Sequence, residues 1–338
     1  MKIRIRDLAK VAGVSPATVS NALNSRAGVS PQTQLSIRKL AQEMGYHHEG
    51  SNGKRKSIRF VIFKCHGLVV MDTPFFSELI EGVEHECYAN GMDLMISHIR
   101  KNQDPDYKER IQSIVSQSDD PILLLATEMQ KSDLDLFRST KAPILLLDSY
   151  FKHEPFDCVV MNNTEAGYLA TKHLIDAGHK SIGLITSSLP FNNMDFRRLG
   201  YLDALSEAGL LSGEDLIWRV RPTVDGAYED MDKLLSSGTK PAPAFFATND
   251  IIAAGCVRAL KKAGYAIPRD ISIIGMDDLP ICQVSSPPLS TIRVFKDEMG
   301  RAAVNRLVQI ASKDASGYTQ KTEIDVKLIE RASVERRI

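Results

Sequence analysis

The side chains of this 338-residue chain that could do chemistry stand where its apolar runs end. Asp148 closes APILLLD, Asn249 and Asp250 follow PAFFAT, and Asp277 and Asp278 follow ISIIGM. Arg197 comes shortly after KSIGLIT, three residues before Gly200, and Phe75 and Phe76 follow IRFVIF and its loop. Carboxylates, an amide and a guanidinium supply in-plane donors and acceptors that fix hydroxyl groups, and an aromatic face covers the C–H side of a ring. Each residue also has a structural reading: Asp148, Asp250 and Asp278 as caps or loop anchors, either Phe as core, Arg197 as a surface partner of Asp195. The chemistry on offer is binding rather than bond-making. No G-x-G-x-x-G, G-x-x-x-x-G-K-[ST] or G-x-S-x-G segment occurs, so the usual phosphate cradles and serine elbow are missing. His85-Glu86-Cys87-Tyr88-Ala89 opens like a zinc-protease helix but lacks the second histidine. No catalytic residue, metal site or cofactor is expected.

The elements that must position these residues alternate. Continuous apolar strands at 58–63, 93–99, 121–126, 142–148, 158–162, 180–186, 215–220, 243–248 and 270–277 are separated by amphipathic helical stretches. Strands without polar alternation belong in parallel sheets covered on both faces. There are too many for one sheet, so two α/β lobes of about 100–130 residues each are expected. Ligands on such lobes bind beyond the carboxyl ends of the strands, where the polar residues above lie.

Ahead of this body stands a different stretch, IRDLAKVAGVSPATVSNALN, Ile5 to Asn24. A first helix over Asp7–Ala12 would place Leu8 and Val11 on one side, and Gly13 permits a tight turn. Ser15 can cap a second helix whose first position suits Pro16. That helix would bury Val19 and Leu23 and show Pro16, Ala17, Thr18, Ser20 and Asn21 to solvent. Ser30-Pro31 starts a third, with Leu35, Leu40, Ala41 and Met44 inward and Gly45 ending it. The pattern is that of a helix-turn-helix, although an ordinary helical hairpin would share it. Charge separates the two readings. Residues 1–60 carry eleven Lys and Arg against three acids, an excess of eight, and since the whole chain is neutral the remainder carries eight negative charges. A basic head on an acidic body is the footprint of a nucleic-acid binder.

Composition sets the outer bounds. Hydrophobic and charged fractions of 43% and 25% are those of a soluble globular protein. No apolar run nears the roughly 18–20 residues that cross a bilayer, and MKIRIRDLAK lacks the apolar core of a secretory signal. Cys65, Cys87, Cys158, Cys256 and Cys282 are odd in number and widely spaced, which reads as reduced thiols of a cytoplasmic protein without a membrane partner.

GVSPATVSNALN, followed by VSPQT, a helix and Gly45-Tyr46, resembles the head of lactose-repressor-type (LacI family) bacterial transcription regulators. TPFFSELIEGVE, LIDAGHKSIGLI, RRLGYLDAL, PAFFATNDIIAAG, ISIIGMDDLP, PPLSTI and LIERASV follow in that family's order, so the resemblance spans essentially the whole chain. It implies an α/β body like the periplasmic sugar-binding proteins, two doubly wound parallel-sheet lobes joined by three crossings, behind a three-helix helix-turn-helix head. The expected plan is a head over 1–46, a linker over 47–57 and a body over 58–338. Lobe one would take about 58–161 plus 289–311, and lobe two about 162–288 plus 318–332.

The resemblance also implies roles. Arg197 of R-x-x-G, Asn249 of TND and Asp277 of GMDD match effector-contacting positions, with Phe75, Phe76, Asp148 and Asn193 as further effector candidates. Pro16, Ala17 and Asn21 match the positions that read bases. Pro16 and Ala17 offer only apolar contact, such as to a thymine methyl, while Asn21 can pair with adenine. The family commonly has Arg where Asn21 stands, so a different operator is expected. Ser15, Thr18, Ser20, Ser30 and Thr33 would fix phosphates and register, and Asn24 completes the candidate DNA contacts. One departure stands out. The family places a hinge helix with Ala-Arg-x-Leu between head and body, its leucine wedged into the minor groove. Here that segment is EGSNGKRKS, with no leucine to insert. The expected function is a sequence-specific repressor, a homodimer on a pseudo-palindromic operator in double-stranded DNA, controlled by a small-molecule effector, a sugar or sugar derivative. The alternative is a sugar-sensing module with a vestigial head.

Overall fold

The computed structural model describes residues 4–23, 29–44, 46, 56–70, 74–117, 119–312 and 317–337; Asn24, Gly45 and positions 47–55 of the expected linker lie outside the described residues. The chain divides into two compact units, 1–55 and 56–338.

The first unit holds α1 (Ile5–Ala12), α2 (Pro16–Leu23) and α3 (Pro31–Glu43). Leu8, Ala9, Val19, Ala22, Ile37 and Ala41 make its core, and the two small residues on α1 and α2 let the helices approach. Gly13 caps α1 at φ 66°, a left-handed conformation that costs glycine nothing. Ser15 Oγ accepts from Thr18 N–H at 3.0 Å and Ser30 Oγ from Thr33 N–H at 3.1 Å, so both serines cap helices. Two inward expectations fail. Val11 is 59% exposed and Leu35 74% exposed. The buried stripe of α1 runs through Ile5, Leu8, Ala9 and Ala12, and Ile37, two residues past Leu35, points α3's opposite face into the core.

The second unit begins with β1 (Ser57–Lys64), α4 (Pro74–Ala89), β2 (Asp93–Arg100), α5 (Tyr107–Gln117), β3 (Ile122–Leu125), a 3₁₀ turn at Lys131–Phe137, β4 (Ile144–Leu147) and β5 (Asp157–Met161). There follow α6 (Asn163–Asp176), β6 (Gly183–Ser187), α7 (Asn192–Glu207), β7 (Ile217–Val220), α8 (Val224–Ser236), β8 (Ala244–Ala247), α9 (Asp250–Lys262), β9 (Ser272–Asp277), the short α10 (Ile281–Val284) and β10 (Ser290–Val294). The chain ends with α11 (Lys296–Ile310), β11 (Lys321–Ile324) and β12 (Val326–Ile329). Two six-stranded sheets result, ordered β11-β5-β4-β3-β1-β2 and β12-β10-β9-β8-β6-β7. The two orders are the same order, one per lobe. All pairings are parallel except β10 with β12.

The lobe boundaries differ from expectation in two places. Residues 290–294 were expected in lobe one, but Ser290 pairs with Ile274 and Arg293 with Asp277, which puts β10 in the second sheet. Residues 318–332 were expected wholly in lobe two, but Lys321 pairs with Cys158 and Ile324 with Met161, which puts β11 in the first. The chain therefore crosses at Asn162, Phe295 and Asp325, each time with one residue between consecutive elements. A single residue at the end of an element is the kind of position at which hinges form.

Within lobe two, α6 and α7 cross at near contact. A Cβ on Gly167 would strike the Arg197 carbonyl, and one on Gly200 would strike the Thr164 carbonyl. That close approach presses α6 against the backbone that carries Arg197.

Candidate functional site

Where the carboxyl ends of the two sheets face each other they line a partly open cavity of about 40 Å³. All seven effector candidates line it: Phe75 and Phe76 from the start of α4, Asp148 after β4, Asn193 and Arg197 on α7, Asn249 after β8 and Asp277 at the end of β9. The space holds a few water-sized groups and is open to solvent on part of its boundary.

Arg197 is 5% exposed, and each of its three nitrogens makes one hydrogen bond. Its Nε donates to Asn163 Oδ1 at 2.9 Å, Nη1 to the Thr248 carbonyl at 2.5 Å and Nη2 to Met161 Sδ at 3.3 Å. No bond joins it to Asp195, so its surface-partner reading is replaced by a buried one. Asp148 is held at φ 60° and accepts from Thr127 Oγ1 at 2.6 Å and from Asn193 Nδ2 at 3.1 Å. Burial pushes its carboxyl up to about 7; Thr127, Arg197 and Asn193 pull it down and Asp277 adds to the rise. Asp277, at φ 112°, is also raised by burial, against the pull of Arg197 and Lys296. Asn249 lines the cavity and caps α9, accepting from Ile252 N–H at 2.8 Å.

Bonds cross the cleft directly. Asn193 Nδ2 reaches the Asp148 carbonyl at 2.9 Å, Gln130 Nε2 the Pro190 carbonyl at 3.1 Å, and Asn192 Nδ2 the Tyr150 carbonyl at 3.4 Å. The rings of His66 and Phe191 meet edge to face at 5.3 Å. The Pro190–Asn193 segment of lobe two is thus a latch on lobe one. Its seat is firm, because Glu128 accepts five backbone N–H groups, from Cys65, His66, Gly67, Val69 and Val70, and so fixes the loop that carries His66.

Two carboxylates take the anchoring reading instead. Asp250 accepts from Thr291 Oγ1 at 2.7 Å and Leu279 N–H at 2.9 Å, in space that the absent Cβ of Gly275 leaves open. Asp278 pairs with Arg293 at 2.7 Å and Arg331 at 2.6 Å. Neither lines the cavity. Val69, Thr127, Met161, Phe191 and Met194 do, and the sequence reading passed over them. Met161 and Thr127 were findable, since both sit at strand ends; Phe191 and Met194 flank a residue that was chosen.

On the head, Pro16 and Ala17 are exposed and Thr18, Ser20 and Asn21 half-buried on α2. The hydroxyls of Ser15 and Thr18 bond to each other at 2.8 Å, as do those of Ser30 and Thr33 at 2.7 Å. Among the described residues no group of His, Cys, Asp and Glu could hold a metal ion, and no helix is long and apolar enough to cross a membrane. All five cysteines are free thiols.

Two family profiles match the sequence: "Bacterial regulatory proteins, lacI family" over residues 4–49 and "Periplasmic binding protein-like domain" over residues 171–334. The HTH-type transcriptional repressor PurR of Pasteurella multocida (strain Pm70) is 33% identical over 337 residues, 99% of each chain. Among solved structures, a transcriptional regulator CelR–cellobiose complex is similar with a TM-score of 0.74 at 23% identity, covering 98% of this chain and all of that one. A lac repressor dimer bound to operator and the anti-inducer ONPF gives 0.72 at 21%, covering 99% of this chain and all of that one.

Proposed function

This chain belongs to the lacI family of bacterial regulatory proteins, and on that premise we propose how it works as an effector-controlled, DNA-binding transcriptional repressor. The cleft between the lobes is the effector site, and the effector is a sugar or sugar derivative. Supporting this are the cellobiose held by the CelR structure and the mixture in the cleft of aromatic walls with carboxyl, amide and guanidinium groups. Closure of the lobes on the effector, bounded by three one-residue crossings, is the two-state element. A coupling free energy of about 1–3 kcal/mol between cleft and operator is what such a switch supplies.

The protein binds a pseudo-palindromic operator as a homodimer, because one small head gives too little affinity and specificity. On α2, Asn21 reads a base by its amide and Pro16 and Ala17 make apolar contacts, while Ser15, Thr18, Ser20, Ser30 and Thr33 set phosphate register. With no leucine in EGSNGKRKS, Lys54, Arg55 and Lys56 add phosphate contacts in place of a minor-groove wedge.

The observation that carries this reading is the convergence of seven side chains from both lobes on one cavity. The test is fluorescence anisotropy of operator DNA titrated with free sugars. Wild type should change affinity on effector addition, and Arg197→Ala, assayed at a temperature where its body remains folded by circular dichroism, should bind DNA and ignore the effector. A normal response in that variant would place the effector elsewhere.

A further inference from the structure

Thr127 and Glu128 are neighbours with different duties. Thr127 lines the cavity and donates to Asp148, whereas Glu128 is 1% exposed and outside the lining. Glu128 Oε2 accepts from the N–H groups of Cys65, His66 and Gly67 at 2.8, 3.0 and 2.8 Å, and Oε1 from those of Val69 and Val70 at 3.1 and 3.2 Å. Among the described residues the one basic group within ion-pair range is His66, with Nδ1 3.4 Å from Oε2. That nitrogen accepts from Leu68 N–H at 3.2 Å, so it meets the carboxyl with a lone pair and supplies no countercharge. The five backbone N–H groups are therefore what offsets the burial of this side chain.

The loop so gathered, 65–70, follows β1 and meets the cleft at two points. Val69 lines the cavity, and the His66 ring lies edge to face against Phe191 of the lobe-two latch. Residues 65–70 form neither helix nor strand, so no ladder of backbone bonds sets their shape. The Glu128 carboxyl sets it, together with the burial of Val69 and Val70. Resting on the reading of this cleft as the effector site, we propose that Glu128 is a positioning residue for effector binding. By gathering the 65–70 loop it holds Val69 at the cavity wall and His66 against the latch, and so sets effector affinity without touching the effector. Glu128→Gln probes this at nearly constant size. Whichever oxygen becomes the amide nitrogen, at least two backbone N–H groups then face a donor instead of an acceptor.

The test uses the full chain. Amide hydrogen exchange without ligand should find the N–H groups of Cys65, His66, Gly67, Val69 and Val70 protected in wild type and opening about tenfold faster or more in Glu128→Gln, with β3 and β4 unchanged. Operator anisotropy is then titrated with D-ribose, D-glucose and cellobiose. For a sugar that wild type answers, Glu128→Gln should raise the half-maximal concentration about tenfold or more, with operator affinity in its absence within about twofold. His66→Ala should raise it about threefold, and the double variant should lose no more than Glu128→Gln alone, because both act through one loop. A merely structural role would instead give losses that multiply.

Losses that multiply, or an unchanged half-maximal concentration in Glu128→Gln, would overturn the positioning role and leave the effector site standing. An undisturbed loop in Glu128→Gln would overturn the carboxyl as its anchor. If Glu128→Gln did not fold by circular dichroism, His66→Ala would decide, and a wild-type sugar response in that variant would overturn the proposal. A wild type that answered none of the three sugars would remove the sugar-effector reading, and the role of Glu128 in binding with it.

Discussion

The second helix of the head, proposed to read DNA, and the cleft of the body, proposed to hold an effector, differ in their physics. On α2 the candidate base readers are exposed or half-buried, and the polar groups near them are already satisfied by capping bonds. In the cleft the polar groups are buried, two acceptors are open, and two aspartates are held at positive φ. A surface reader can be satisfied alone because water serves the groups it does not use. A buried reader has no such reserve, so its unmet valences persist as a demand on the ligand.

The largest expected break of this contrast is Arg197→Ala. Removing a buried guanidinium that bridges Asn163 and Thr248 should cost about 3–5 kcal/mol of body stability in urea titration, with loss of the effector response. If the loss were below about 1 kcal/mol, the cleft would be no more tightly wired than the head. On the head, Asn21→Ala should cost about 1–3 kcal/mol at one operator position and leave stability within about 0.5 kcal/mol, read by footprinting across mutated operators. Binding unchanged on every sequence would remove Asn21 as a reader and favour a vestigial head.

Asp148→Asn sharpens the comparison through pH. A carboxyl raised to about 7 holds its proton longer in the folded state than in the unfolded one. Its burial therefore penalises folding fully above pH 7, and the penalty wanes as pH falls toward the ordinary 3.8. The variant should gain about 1–2 kcal/mol over wild type at pH 8 and lose that advantage progressively on acidification. A difference independent of pH would mean the carboxyl is not strained by burial. The smallest effect is Ser15→Ala, which should weaken the head by about 1 kcal/mol. Amide hydrogen exchange should show faster opening confined to the head.

Legibility in the sequence followed the reach of each signal. Asn249 and Asp277 were visible because a continuous apolar run ends on them, and position at a parallel strand's end is local information. Asp250 and Asp278 stand at the ends of the same runs, where position alone leaves a cap or anchor reading beside a ligand one, and the family resemblance singles out Asn249 and Asp277 instead. Only their partners, Thr291 and Leu279 for one and Arg293 and Arg331 for the other, all distant in sequence, assign them to anchoring. Leu35 was misplaced because leucine suggests burial wherever it stands, whereas the phase of Ile37 decides.

By itself the sequence determined the alternation of apolar strands and amphipathic helices, the basic head, and the residue types at the strand ends, since these depend on neighbours along the chain. Tertiary structure alone decided that β10 joins the second sheet and β11 the first, that Thr127 and Phe191 complete the cleft, and that Asn193 bridges the lobes with one oxygen left open. Strand pairing and hydrogen-bond satisfaction are settled between groups brought together from distant parts of the chain. No local pattern records whether a donor or acceptor will find its partner.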